Sequence, residues 1–454
     1  MPARPARAIL LLLSPVATTG AWNVYSSAYE RENAPRIFSA VVDSPFTLKL
    51  RNSGATPQHV VLGPVPNGLR VAEGVIKGTP AKAMIMHAVA GNAPGIPDTT
   101  WIVVFASSLD NPVLPREPYR YRGASLDIPP HLAQGGLRFV VESPEVLAAR
   151  ANPTTDAGAA LGRVLFYDRR LSANDAVSCG SCHDQSAGFG DTARLSRGHK
   201  GQDTRRHSMA LANVRFATGG GFFWDQRAKT LEQQVLMPIQ DPIEMGMALP
   251  DLERKLNVIP YYPALYAAAF GSPEITIERT ARALAQFLRT LVTTDSPFDR
   301  AFTSPNVAAD LTHLTELERA GSIVFRRSGC TVCHFSSTQI VASAMNSGLD
   351  AEPADTGAGR GSFRAPSLRN VAVRAPYMHD GRFKTLDEVI DFYSSGVKAN
   401  PHLDVRLRNR ATQEPRRLEL SADDRAALKA FLHTLTDSTF LSAPEFSDPF
   451  RRRD

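Results

Sequence analysis

Cysteine is scarce in this chain: 454 residues carry four of them. So few thiols exclude a disulfide-stapled scaffold, in which short secreted chains are dense in cysteine. Long apolar runs are missing too. A membrane-spanning helix needs about 20 apolar residues, whereas the run near the N-terminus is only AILLLL, from Ala8 to Leu13. Charge of one sign is also lacking. The 51 Lys and Arg against 45 Asp and Glu leave +6, too mild an excess to suggest nucleic acid as a partner. The apolar share of 43% is that of a globular protein, and the length leaves room for about three domains.

What is present begins with a leader-like segment. Arg4 and Arg7 precede the short apolar run, and Thr19-Gly20-Ala21 offers small residues for cleavage. This pattern predicts a signal peptide over residues 1–21 and export to the periplasm. No cysteine follows the apolar run, so a lipid anchor is not expected. The Arg451-Arg452-Arg453 tail reads as a frayed terminus rather than a binding patch.

Residues 37–110 read as all-β, within an expected β domain over 37–140. Phe46–Leu50 and Trp101–Phe105 are strand-like, with Gly and Pro turns between them. The stretch from Pro66 to Pro80, PNGLRVAEGVIKGTP, resembles the immunoglobulin-like modules appended to bacterial exported proteins. That resemblance implies a small β-sandwich and no chemistry. Further on the pattern turns helical. Ile277, Ala281, Leu284, Leu288 and Leu291 recur at helical spacing. Thr315 with Glu318, and Thr385 with Glu388, are capping boxes. Ser421 can cap a helix whose stripe is Leu428, Phe431, Leu432 and Leu435. The expected fold is therefore mostly α, with two tandem helical domains (141–313 and 314–440) behind a small β domain.

An internal repeat supports the tandem arrangement. Gly162-x-x-Leu165-Phe166 is echoed by Gly321-x-x-Val324-Phe325, and Leu211-Ala-Asn213-Val214 by Leu368-Arg-Asn370-Val371. Trp224-Asp-Gln-Arg227-Ala-Lys229-Thr230-Leu231-Glu232 matches His379-Asp-Gly-Arg382-Phe-Lys384-Thr385-Leu386-Asp387 at an offset of 155 residues. All four cysteines fall in two copies of one motif, Cys179-Gly-Ser-Cys182-His183 and Cys330-Thr-Val-Cys333-His334. Cys-x-x-Cys-His is the c-type haem attachment pattern: two thiols bond the macrocycle and the histidine ligates the iron. Structural zinc is the rival, but the paired histidines it wants beside each Cys pair are missing. A thioredoxin-like site would need a βαβ context, which is not seen.

The open side of each iron can be compared through the repeat. The 155-residue offset carries Pro238 onto Tyr393. Proline cannot bind iron and a tyrosine phenolate can, so the first haem is expected to be open and the second closed by Tyr393. The competing reading of Tyr393 is a tyrosine packed on its amphipathic helix. Gln234 and Glu244 flank Pro238. A carboxylate there could move a proton between the oxygens of bound peroxide, worth ~10²–10⁴-fold, while Gln234 orients it. Trp224 could carry an electron between the haems; otherwise it is a core aromatic.

With these residues in hand, the region from about 150 to 440 resembles the di-haem cytochrome c peroxidase family, which includes the MauG enzymes. The resemblance rests on both haem motifs, on Phe223–Gln234, on Pro238–Met245 and on Pro376-Tyr-Met-His-Asp-Gly381. It implies two cytochrome c-like domains, with hydrogen peroxide reduced at the N-terminal haem. It places the inter-haem tryptophan on Trp224, the pocket glutamine on Gln234, the pocket proline on Pro238 and the catalytic glutamate on Glu244. Peroxidases of the family carry Met as distal ligand of the second haem and MauG-like members carry Tyr; this chain has Tyr393. His199 lies where some members carry a histidine that blocks the resting first haem; its other reading is a surface-loop residue. The inter-domain calcium of the family uses an Asn side chain where this chain has His207. A neutral imidazole suits that hard cation poorly, so a weakened or absent site is expected. The partners implied are hydrogen peroxide and a small c-type cytochrome or other periplasmic donor. Two alternatives remain: a MauG-like oxidase acting on a protein substrate, and an electron carrier without enzyme activity.

Overall fold

The structure is a computed structural model. It describes residues 36–41, 46–49, 58–62, 65, 67–72, 75–80, 84–93, 96–105, 111–115, 118–133, 143–217, 219–301, 310–334 and 343–450. The expected leader and the Arg451–Arg453 tail lie outside them.

The first part forms two sheets. One has four strands in the order β1–β7–β6–β3, from β1 (Arg36–Val41), β3 (Gln58–Leu62), β6 (Met84–Ala93) and β7 (Ile96–Phe105). Here β1 runs parallel to β7, while β6 pairs antiparallel with both β7 and β3. The other sheet is antiparallel, ordered β2–β5–β4, from β2 (Phe46–Lys49), β4 (Leu69–Ala72) and β5 (Val75–Gly78). Both strand-like runs read from the sequence are thus strands. The strands stop short of residue 110, where the all-β reading ended. The last of these strands ends at Phe105, and Leu114, Tyr121 and Leu132, the last on the short helix α1 (Pro130–Ala133), are buried in the helical core. Their apolar side chains find more cover there than on a sheet edge.

The rest is helical: α2 (Pro144–Ala151), α3 (Asp156–Tyr167), α4 (Leu231–Gln240), α5 (Leu249–Asn257), α6 (Tyr262–Phe270), α7 (Ile277–Thr290), α8 (Glu316–Arg327), α9 (Leu386–Asp391) and α10 (Ala422–His433). The only other strands among the described residues are a two-residue pair, β8 (Ala344–Met345) and β9 (Phe363–Arg364). No helix among the described residues is long and apolar enough to cross a membrane.

The repeat read from the sequence recurs in space. α3 packs on α7 across Gly162, where an added Cβ would lie 2.0 Å from the Ala283 carbonyl oxygen. α8 packs on α10 across Gly321, where it would lie 1.9 Å from the Ala427 oxygen. Only glycine lets each helix pair approach so closely. Asn213 and Asn370 both adopt the left-handed conformation and open equivalent 3-10 turns. Their backbone amides donate to the carbonyls of Leu291 and Leu435 at 2.7 and 2.9 Å. The two capping boxes form as expected on α8 and α9, and Ser421 caps α10. In the first half Leu161, Val164, Leu284, Phe287 and Leu288 are buried together; in the second Val324, Phe325, Leu428, Phe431 and Leu432 are. Each such side chain contributes about 1.5–3 kcal/mol of burial.

Candidate functional site

Each Cys-x-x-Cys-His folds as a single tight turn. In the first, the amides of Cys182 and His183 both donate to the Cys179 carbonyl, at 3.1 and 3.0 Å; in the second, Cys333 and His334 donate to Cys330 at 3.2 and 2.9 Å. The four cysteines form no disulfide. Both turns face cavities. Cys179, Cys182 and His183 line one of about 830 Å³; Cys330, Cys333 and His334 line one of about 250 Å³. His183 Nδ1 lies 2.9 Å from the Phe189 carbonyl oxygen. A carbonyl can only accept, so Nδ1 carries the proton and Nε2 keeps its lone pair for a metal. Burial pushes the imidazole pKa below its ordinary value, keeping the ring neutral.

The wall of the larger cavity is built by α4 and the loop after it. Thr230 caps α4 by accepting from the Gln233 amide. A buried ion cluster then fixes the helix laterally. Arg289 on α7 reaches Glu145 on α2 and Glu232 on α4, each at 2.7 Å. Gln234 and Pro238, on this helix, both line the cavity. The next loop folds back: Met245 donates to the Pro238 carbonyl and Gly246 to that of Asp241. Glu244 is thereby brought to the same wall. Burial, then the charge of Asp241, raises its carboxyl above the usual range, against the opposing pull of Arg227 and Arg205.

Trp224 lines both cavities. Its indole N–H donates to the His207 carbonyl at 2.7 Å, and its own carbonyl accepts from Arg364 at 2.8 Å. Its ring meets the edge of His379, which stacks on Phe363 with centroids 3.7 Å apart. Beside it, Arg206 joins Asp225 at 2.6 Å and Asp355 at 2.7 Å, linking the two repeats.

In the smaller cavity Tyr393 shares the lining with the second motif. α9 ends after six residues and passes into a π-turn, Phe392–Gly396, that carries Tyr393. Such turns often re-aim a residue at functional sites. Burial and the adjacent sulfurs of Cys333 and Cys330 push its phenol pKa up. The sequence reading missed three residues on this lining: Met345, whose sulfur is 3.4 Å from that of Cys333, and the arginines Arg364 and Arg374. None stands at a motif position, so no pattern marks them.

His199 is buried but is not part of either cavity lining. Its amide donates to the Glu244 carbonyl at 2.8 Å and its ring lies against Gly246. The surface-loop reading is therefore corrected: the ring tucks behind the Glu244 loop, where glycine leaves room for it. His207 Nδ1 faces the carbonyls of Ala193 and Arg194, both at 3.2 Å. A nitrogen stands where a calcium site wants oxygen, so these groups do not fit that cation.

Two attachment turns, each on its own cavity and joined through one tryptophan, define a c-type cytochrome with two haems. Comparison with known proteins makes this particular. A family profile described as di-haem cytochrome c peroxidase matches residues 156–306. The chain is 35% identical to the methylamine utilization protein MauG of Methylorubrum extorquens, over 63% of this chain and 80% of that one. It is 33% identical to the cytochrome c551 peroxidase of Nitrosomonas europaea, over 64% and 82%. The crystal structure of a MauG-like protein associated with microbial copper homeostasis superposes with a TM-score of 0.58 at 34% identity, covering 69% of this chain and 99% of that one. The chain belongs to the di-haem cytochrome c peroxidase and MauG family. It is an oxidoreductase with two c-type haems, which sets aside the carrier-only alternative.

Proposed function

We propose that the chain reduces hydrogen peroxide in the His183 cavity, taking up two electrons and two protons per peroxide and releasing two waters. The observation that carries this reading is the convergence of Gln234, Pro238 and Glu244 on the wall of the cavity that also holds Cys179, Cys182 and His183. A haem bonded to Cys179 and Cys182 and held by His183 would supply the iron and the electrons for O–O cleavage. The residues do the rest. Glu244 takes the proton from the inner peroxide oxygen and returns it to the outer one; its raised pKa suits a group that must both accept and release. The Gln234 carboxamide orients the substrate. Pro238 offers no side-chain ligand.

On this reading 141–313 is the peroxidatic haem domain and 314–440 the electron-transfer domain, where His334 and Tyr393 would hold the second haem iron. Trp224 joins them, its ring edge and backbone held from both sides. Residues 1–21 export the chain to the periplasm, where a small c-type cytochrome or another donor supplies electrons. The two sheets before residue 106 are an immunoglobulin-like addition. Glu244→Ala should keep the haem absorption spectrum and slow peroxide consumption at least ~10-fold; unchanged turnover would remove Glu244 from the mechanism. EPR of the ferric protein should show one high-spin and one low-spin haem. Two low-spin haems would put His199 or another side chain on the first iron.

Tyr393 favours a second reading. An anionic ligand stabilises ferric iron and lowers its potential, which hinders relay from an ordinary cytochrome. The chain then resembles MauG in using peroxide to modify residues of a partner protein. Rapid peroxide-dependent oxidation of a reduced c-type cytochrome would refute that second reading.

A further inference from the structure

Among the described residues four buried arginines differ in how their charge is met. Arg289 and Arg369 are fully enclosed and clasp carboxylates, Glu145 with Glu232 and Asp299 respectively. Arg364 and Arg374 are buried as well, at 6% and 9% exposure, yet neither meets a carboxylate among the described residues. The Nε of each has no hydrogen-bond partner. Arg364 has the Phe222 ring 5.7 Å from its guanidinium carbon, and Arg374 donates to the Ser367 carbonyl. Burial pushes each guanidinium down to about 10, unopposed at Arg364 and opposed at Arg374 only by the Tyr377 phenol. A buried cation without a counter-charge is costly enough that folds supply one.

Where they stand indicates what supplies it. Arg364 lies on β9, paired with Ala344 on β8, and its amide donates to the Trp224 carbonyl. It lines both cavities, whereas Arg374 lines only the smaller. Each cavity receives a haem, and each haem brings two carboxylates, its propionates. We propose that Arg364 is a counter-ion shared by propionates of both haems, seated beside the tryptophan between them, and that Arg374 serves the His334 haem alone. The proposal needs only the two haems and not the peroxide reading.

A guanidinium near the propionates favours the more negative, reduced state of each iron. Spectroelectrochemical titration of the holo-protein reads this directly. Arg364→Gln should lower both midpoint potentials, or make both newly pH-dependent if a propionate takes up a proton instead. Arg374→Gln should do so only for the His334 haem. Unchanged potentials in Arg364→Gln across the pH range, at full haem content, would overturn the proposal. So would a shift confined to one haem. If Arg364→Gln does not assemble, Arg364→Lys provides the second test. It keeps the charge but changes the donors, so potentials should hold while the propionate-bending bands of both haems move in resonance Raman spectra. Unmoved bands would equally overturn it.

Discussion

Around His183 the cavity measures about 830 Å³ and meets Gln234 and Glu244; around His334 it measures about 250 Å³ and meets Val389, Ile390 and Tyr393. Yet the loops leading to the two walls are nearly the same. Phe223 and Gln226 have positive φ, and so do Met378 and Gly381, 155 residues on. The bridge between Phe222 and Ala228 recurs between Tyr377 and Phe383. Thr230 and Thr385 cap the helices that follow, which bury Leu231 with Val235 and Leu386 with Ile390. Divergence begins only after that first turn. α4 continues through Pro238 for ten residues, while α9 stops after six and widens into the π-turn bearing Tyr393. The frame is shared, and the two halves differ at a few positions beyond it, Pro238 in one and Tyr393 in the other.

The sharpest way to break this contrast is to exchange the two residues. Pro238→Tyr should give the first haem a ligand, convert its EPR signal to low-spin and cut peroxide turnover at least about 100-fold, since Glu244 then has no peroxide to act on. Tyr393→Phe should open the second iron to high-spin without raising turnover, because the neighbours of Tyr393 on its own helix that line this cavity, Val389 and Ile390, move no protons. A Tyr393→Phe variant that gained turnover would show that an open iron is enough and that the polar wall of the first cavity is incidental.

Much of this was readable in advance because it is written in short spacings. Cys-x-x-Cys-His, the capping boxes and the 155-residue offset each depend on a few neighbouring residues, and each forms locally in space. What was not readable depends on distant partners. Arg364 and Arg374 look like surface charges in the sequence, and only the folded chain leaves them buried at the cavities. Leu114 and Tyr121 follow a β region and gave no sign of joining the helical core. The π-turn is invisible because the widened turn at Phe392–Gly396 carries no residue signature of its own.

The next effect sharpens the acid–base difference. Glu244 must be ionised to accept a proton, so turnover should fall as pH drops through its pKa. Burial and Asp241 raise that pKa despite Arg227 and Arg205. The acid limb of kcat/KM should therefore sit above ~4.3, the ordinary glutamate value. It should be absent from the residual activity of Glu244→Gln. A limb that survives there belongs to another group.

A smaller effect tests the shared frame. Gly162→Val and Gly321→Val both force a Cβ against a facing carbonyl, at 2.0 and 1.9 Å. Each should cost about 1–3 kcal/mol of stability by overpacking, measured by chemical denaturation. Because the two contacts are geometrically alike, the two costs should be alike. A tolerant site on one side would mean that its helix pair has slackened since duplication.

The caps give the smallest effect and the finest comparison. Thr230 and Thr385 each accept from an amide three residues on, at 3.2 Å, so replacing either with Ala should cost about 1 kcal/mol. Their consequences should differ. Thr230→Ala frays a ten-residue helix that Arg289 also holds through Glu232, so Gln234 and Pro238 should stay in place and turnover should barely change. Thr385→Ala removes half of a capping box from a helix of six residues whose end leads directly into the Tyr393 turn. Equal stability loss should therefore come with unequal spectra: the low-spin signal of the second haem should broaden in Thr385→Ala, while the first haem in Thr230→Ala keeps its own line. Matching spectra in the two variants would show that the π-turn is held by its packing on Phe383 rather than by the helix that precedes it.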